Sequence, residues 1–191
     1  MPKSVRFQKI GGPEVLRLEE VAVGDPGPGE ARVLHKACGV NFLDVYQRSG
    51  LYKLPLPSGA GNEGSGVVEE VGAGVTHVKP GDRVAYAGGP VGAYSEVRNV
   101  PADRLCILPE GLSFEQGAAV DPIASSYRGI RKVAVDVEDA VVIFGAGPIA
   151  LYALQAIKAR GVPLVIVVGR SRAPLEAAVQ LGADRVFSTL D

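Results

Sequence analysis

Two hydrophobic textures divide the chain. Over residues 5–108 short apolar runs alternate with polar positions and are broken by glycine and proline. The alternation predicts strands at 5–10 and 15–23, joined by the turn Gly11-Gly12-Pro13. A second turn at 25–30 leads into a strand at 31–38 that His35 and Lys36 interrupt. Phe42, Val45 and Tyr46 recur at helical spacing, which predicts a short helix over 41–48. Further strands are expected at 64–71, 83–86, 94–97 and 104–108, with turns at 72–74, 79–82 and 88–92. Short strands at roughly 8–12-residue spacing with turn chemistry between them predict an antiparallel, barrel-like domain.

The pattern changes near Ser113, an expected N-cap for Phe114-Glu115-Gln116. Alanine-rich segments and continuous apolar runs follow, and the domain junction is placed near residue 122. A β-branched run at 140–144 leads into Gly145-Ala146-Gly147-Pro148-Ile149-Ala150. An apolar helical segment to 160 and a second β-rich run at 164–168 follow. Strand, glycine turn, helix and strand within about 30 residues are the context in which G-x-G-x-x-A signals a dinucleotide. Gly145 suits the tight turn. Gly147 lets a pyrophosphate approach the backbone, and Ala150 lets the helix lie close to the sheet. Pro148 fits a first helical turn. A helix at 173–181 with Pro174 in its first turn, ended by Gly182, and a strand at 185–187 complete a βαβαβ half-domain. Its first strand would be an exposed apolar edge, so the chain is expected to be a fragment or to have that edge covered.

The end of the second strand names the cofactor. An NAD site carries Asp or Glu about 20 residues after the glycines, on the ribose 2′-hydroxyl. Here Gly169-Arg170-Ser171-Arg172 stands instead. Two guanidinium groups and a hydroxyl suit a 2′-phosphate, so NADPH is the expected cofactor. The alternative is an ordinary surface loop that happens to be basic.

Composition narrows the partners. A formal net charge of -1 offers no basic footprint for nucleic acid or an anionic membrane. The 25 glycines among 191 residues agree with many tight turns. Lys3 and Arg6 precede no apolar leader region. The longest apolar run, 140–157, approaches membrane-spanning length but is broken by its glycine turn. Cys38 and Cys106 form no C-x-x-C pair, and a reducing cytoplasm is the expected setting.

With these residues in view, the chain resembles the medium-chain dehydrogenase/reductase superfamily, and most of all its zinc-free quinone oxidoreductase branch of the zeta-crystallin type. The resemblance rests on Val40-Asn41-Phe42-Leu43-Asp44-Val45-Tyr46 with Gly50-Leu51-Tyr52, on Gly61-Asn62-Glu63-Gly64-Ser65-Gly66-Val67-Val68, on Gly81-Asp82-Arg83-Val84, and on Gly92-Ala93-Tyr94-Ser95-Glu96. It implies an α/β plus β architecture: a GroES-like antiparallel barrel over 1–122, then a partial Rossmann parallel-sheet domain over 123–191, with the active site in the cleft between them. Residues 117–191 depart from that branch. Gly145-Ala146-Gly147-Pro148, with Asp121-Pro122 upstream, is closer to polyol and threonine dehydrogenases, so the chain reads as a divergent member or a join of two parents. The family's chains also continue well past Asp191.

The resemblance further implies that Asn41, Asp44, Tyr46 and Tyr52 line a quinone or enone pocket, and that Ser126 lies near the nicotinamide. The expected cofactor contacts are Gly145, Gly147, Pro148, Ile149, Gly169, Arg170, Ser171 and Arg172. The bland alternatives are that Tyr46 is core, Tyr52 a loop packing residue and Ser126 a helix-surface serine. Zinc-using relatives carry Cys where Asn41 stands and His where Asn62 stands, with Glu63 retained and a further ligand near Asp121. Zinc needs about three good protein ligands, so two amides point to a metal-free site. His35 and His77 have no ligand spacing and are expected to be core or solvated. Dimers are common in the family, so a homodimer is the expected assembly. The expected function is NADPH-dependent, metal-independent reduction of a quinone or activated enone. A polyol-type dehydrogenase that has lost its metal ligands and a non-catalytic nucleotide-binding fragment stay open beside it.

Overall fold

A computed structural model describes residues 1–190 and divides into two compact units, Met1–Asp121 and a second that begins at Pro122. The first unit holds two antiparallel sheets. In one, β1 (Lys3–Phe7) lies between β2 (Arg17–Glu20) and the two-residue β4 (Ser58–Gly59). In the other the order is β7-β3-β5-β6-β8, with β3 (Glu30–Cys38), β5 (Glu63–Val71), β6 (Arg83–Ala87), β7 (Val97–Pro101) and β8 (Cys106–Ile107). Ala31, Val33, Val68, Val84, Tyr86 and Val100 bury the inward side of this sheet. Phe7, Val15 and Ala60 form a smaller cluster under the first sheet. Helix α1 (Phe42–Ser49) buries no residue fully and ends at Gly50 in the left-handed conformation. Helix α2 (Phe114–Gly117) is capped by Ser113, whose hydroxyl accepts from the Gln116 N–H at 3.2 Å.

Four predicted strands are shorter or displaced, and the first, expected at 5–10, forms at Lys3–Phe7. Pro13–Val15 forms a 3-10 turn closed by the Leu16 N–H on the Pro13 carbonyl, so β2 begins only at Arg17. The strand expected at 94–97 forms at Val97–Pro101. The Gly92 and Ala93 N–H groups both bond the Gly61 carbonyl and Ser95 turns back on Ala93, so the ladder with β3 starts at Val97. A 3-10 turn at Ala102–Arg104 delays β8.

In the second unit β9 (Ala140–Phe144), β10 (Leu164–Gly169) and β11 (Arg185–Ser188) form a parallel sheet in the order β11-β10-β9. Helices α4 (Pro148–Ala159) and α5 (Arg172–Gln180) are the crossovers, and α3 (Val120–Val133) precedes β9. Central β10 alternates half-buried and buried positions, and Val165 and Val167 are fully enclosed with Leu154, Ile157 and Leu175. At the outer edge, Phe144 of β9 is 84% exposed. The long apolar run thus folds as strand, turn and helix, and among the described residues no helix is long and apolar enough to cross a membrane.

Candidate functional site

The turns after β9 and β10 enclose a crevice of about 480 Å³ lined by Gly145, Gly147, Gly169, Arg170, Ser171 and Thr189, among others. Gly145 sits at φ +103°, a conformation other residues rarely adopt, and its N–H bonds the Val168 carbonyl at 2.7 Å. Gly147 differs. Its φ of -78° suits any residue, and a Cβ built on it would meet nothing within 4 Å. The protein's own packing therefore does not require glycine at 147. Pro148 is the first residue of α4, which has no side-chain cap, so its leading N–H groups are unclaimed by any side chain.

Gly169 has another reason to be glycine. A Cβ there would stand 3.2 Å from Ala146 Cβ and Leu175 Cδ2, so it serves close packing beneath the crevice. Arg170 and Ser171 are exposed and line the crevice, and the Ser171 hydroxyl makes no cap bond to α5. Arg172 is not among the lining residues; its Nε donates to Glu176 Oε1 at 2.8 Å, one helical turn on. Ile149 is exposed on α4. Ser126 is buried, with its hydroxyl 2.6 Å from the Pro122 carbonyl and 2.9 Å from that of Ile149, so it joins α3 to α4 and is not a surface serine.

In the first unit an amide–carboxylate cluster forms at the start of α1. Glu63 is 1% exposed; its Oε1 accepts from Asn41 Nδ2 at 2.6 Å and its Oε2 from the Asp121 N–H at 2.7 Å. Burial pushes the Glu63 carboxyl above its ordinary range, and these two donors partly offset that. Asp44 Oδ2 accepts from the Asn41 N–H at 2.7 Å and the Tyr94 hydroxyl at 2.6 Å, while Oδ1 accepts from Asn62 Nδ2 at 2.6 Å. Burial, then the bond to Asp44, hold the Tyr94 phenol far above its ordinary pKa, so it stays a donor. Asp44 is thus occupied as the organiser of the cluster. Tyr46 is half-buried, not core, and stacks edge-on with Phe42 at 5.3 Å and Tyr52 at 5.6 Å between ring centres. Tyr52 is 53% exposed. Among the described residues neither the Tyr46 nor the Tyr52 hydroxyl makes a hydrogen bond.

The histidines are tied to the backbone. His77 Nε2 donates to the Ala102 carbonyl at 2.7 Å. His35 Nδ1 donates to the Ser95 carbonyl at 2.6 Å, and its Nε2 accepts from the Tyr86 hydroxyl at 2.8 Å. Burial pushes His35 down to about 4 and Tyr86 up to about 12, so both stay neutral. Between about pH 4 and about pH 6.5 the unfolded chain binds a proton at His35 that the folded chain does not, so stability falls as the pH falls through that window. Urea denaturation should therefore show a loss of about 2 kcal/mol between about pH 7 and about pH 5 attributable to this residue, a slope that His35→Gln removes.

The family model for the alcohol dehydrogenase GroES-like domain matches residues 27–110. A quinone oxidoreductase of Pseudomonas aeruginosa is 46% identical over 86% of this chain and 52% of its own length. Human sorbitol dehydrogenase is 33% identical over 93% of this chain and 58% of its own. The crystal structure of Escherichia coli quinone oxidoreductase complexed with NADPH superposes with a TM-score of 0.91 at 42% identity, covering 99% of this chain and 59% of that one. The chain belongs to the medium-chain dehydrogenase/reductase superfamily. Its first unit is GroES-like and its second carries a Rossmann-like parallel sheet. It spans about half the length of the curated relatives it matches, 52% and 58% for the two just named.

Within that superfamily the donor set around Glu63 is unsuited to zinc. Asn41 and Asn62 present amide donors to Glu63 and Asp44, where a metal would need lone pairs. Among the described residues no group of three or more His, Cys, Asp or Glu side chains could hold a metal ion. Sequence reasoning missed three participants: Thr189, Asn62 in its bond to Asp44, and Tyr94. Thr189 reaches the crevice because its N–H bonds the Gly169 carbonyl at 3.0 Å across the β10–β11 ladder.

Proposed function

We propose that the chain provides the NADPH-holding crevice and the acceptor-facing cluster of a metal-independent quinone oxidoreductase acting on a quinone or activated enone. The observation that carries this reading is the crevice itself: free space over Gly147 at one end, and Arg170 with Ser171 at the other. When bound there, NADPH would supply the hydride. Gly147 and the leading N–H groups of α4 would receive the pyrophosphate, and Arg170 and Ser171 the 2′-phosphate. On the first unit, the Phe42, Tyr46 and Tyr52 rings offer an apolar face for a flat acceptor. The Tyr46 and Tyr52 hydroxyls are available as donors to its oxygen, and Glu63 fixes the Asn41 amide.

Arg170→Ala is the direct test. NADPH affinity should fall about 10- to 30-fold by fluorescence titration while NADH affinity stays within about twofold, because only the charge-assisted bond to the 2′-phosphate is lost. Equal losses for both nucleotides would remove the 2′-phosphate argument. The Gly145-Ala146-Gly147-Pro148 turn and the sorbitol dehydrogenase relatives favour a second reading, a polyol-type dehydrogenase whose metal ligands have been lost or replaced. Alcohol oxidation in place of quinone reduction would select it, and metal analysis of the purified protein would show whether replacement ligands hold a metal. A homodimer in a reducing cytoplasm completes the proposal; both cysteines are free, and sedimentation tests the dimer.

A further inference from the structure

Helix α1 carries the Tyr46 ring, yet little apolar packing holds it. It spans eight residues, a length at which an isolated helix is marginal in water. It buries no residue fully, and its apolar Phe42 is exposed. Polar bonds therefore decide where it sits. At one end the N-cap residue Asn41 is tied to Glu63. At the other, the Gly11 N–H donates to the Arg48 carbonyl at 3.1 Å. Between these ends a single side chain grips the middle of the helix. Asn62 is buried and immediately precedes β5. Its Nδ2 donates to Asp44 Oδ1 at 2.6 Å and to Gln47 Oε1 at 2.9 Å, and its Oδ1 accepts from Gln47 Nε2 at 3.0 Å.

These bonds occupy both Nδ2 hydrogens and the oxygen of the Asn62 amide, and every one of them goes to α1. Gln47 follows Asp44 by three residues, so the two partners lie on one helix face, one turn apart. A bond at one level would leave the helix free to roll about its axis. Bonds at two levels fix its roll as well as its tilt. Tyr46 is next to Gln47 in the chain, and its ring is the middle member of the edge-on stack with Phe42 and Tyr52. A roll of α1 therefore carries the Tyr46 ring away from Tyr52, which lies beyond the end of the helix. We propose that Asn62 is the positioning residue of this ring face: through Asp44 and Gln47 its amide sets the roll of α1, and so the place of the Tyr46 ring. That the ring faces an electron acceptor rests on the quinone reading; the grip on α1 does not.

The test reads ring positions by NMR on the intact chain, without ligand. Asn62→Leu keeps the bulk and makes no bond. In it the Tyr46 and Tyr52 ring signals should shift and the NOE between the two rings should weaken, while the signals of Val33 and Val84 in the core sheet hold their places. Asn62→Asp sets a second carboxylate against Asp44 and should displace the rings as well. Adding Asp44→Asn to it exchanges donor and acceptor, and the parent ring signals should return. A residue that only stabilises the unit leaves the native ring signals where they were, so unchanged rings in Asn62→Leu and Asn62→Asp overturn the proposal. Displaced rings that the paired variant fails to restore overturn it too. Duroquinone, whose ring has no open position for the free thiols to add to, then probes the acceptor face. Its affinity should fall at least about fivefold in Asn62→Leu. An unchanged affinity with displaced rings overturns the positioning role. A parent chain that binds no duroquinone overturns the quinone reading instead, and the ring signals alone judge the grip.

Discussion

Replacing Gly147 with aspartate is expected to weaken NADPH binding at least about 100-fold, roughly 3 kcal/mol, without destabilising the fold. The two halves of that result have separate causes. Gly147 is the N-cap of α4, with extended backbone at φ -78° and ψ 177° and no side-chain cap. Aspartate is among the best N-cap residues and places a negative charge at the positive end of the helix dipole. A Cβ at 147 meets no protein atom, so nothing need move. The same carboxylate stands where the pyrophosphate would lie and repels it. Thermal unfolding without ligand should give an unchanged or higher midpoint, while calorimetric titration with NADPH should give little or no heat. Retained affinity would mean that the open space over Gly147 is not where the phosphates go.

Glu63→Ala should destabilise the first unit by about 3–5 kcal/mol, read by chemical denaturation. The substitution leaves a cavity and orphans two donors, Asn41 Nδ2 and the Asp121 N–H, that now close on the two carboxylate oxygens. Glu63→Gln keeps one acceptor and the volume, and should cost about 1–2 kcal/mol. A negligible cost for Glu63→Gln beside the full cost of Glu63→Ala would show that Glu63 is held by packing alone.

What the sequence disclosed and what it hid follow from locality. The order of β9, turn, α4 and β10 was legible because β-branched runs, Gly145 and Pro148 each act on their own neighbourhood. The exact start of β7 was not, because it depends on Gly92 and Ala93 sharing the distant Gly61 carbonyl. Asn41, Asp44, Tyr46 and Tyr52 are candidates through resemblance alone. Their arrangement was not legible, since Asp44 gathers donors from residues 62 and 94 that no spacing rule joins. Arg172 was grouped with Arg170, yet the i,i+4 pair it makes with Glu176 was visible in the sequence and accounts for its position.

Helix α2 supplies its own cap, whereas α4 and α5 begin at Gly147 and Ser171 without one. The second unit therefore leaves two helix starts for a guest to complete. If NADPH fills the crevice as proposed, nucleotide and fold are thermodynamically linked, with resistance to unfolding rising as the crevice fills. In a cell short of the nucleotide, the first symptom would be fewer intact molecules, degraded from the loosened state, before any slowing of the survivors.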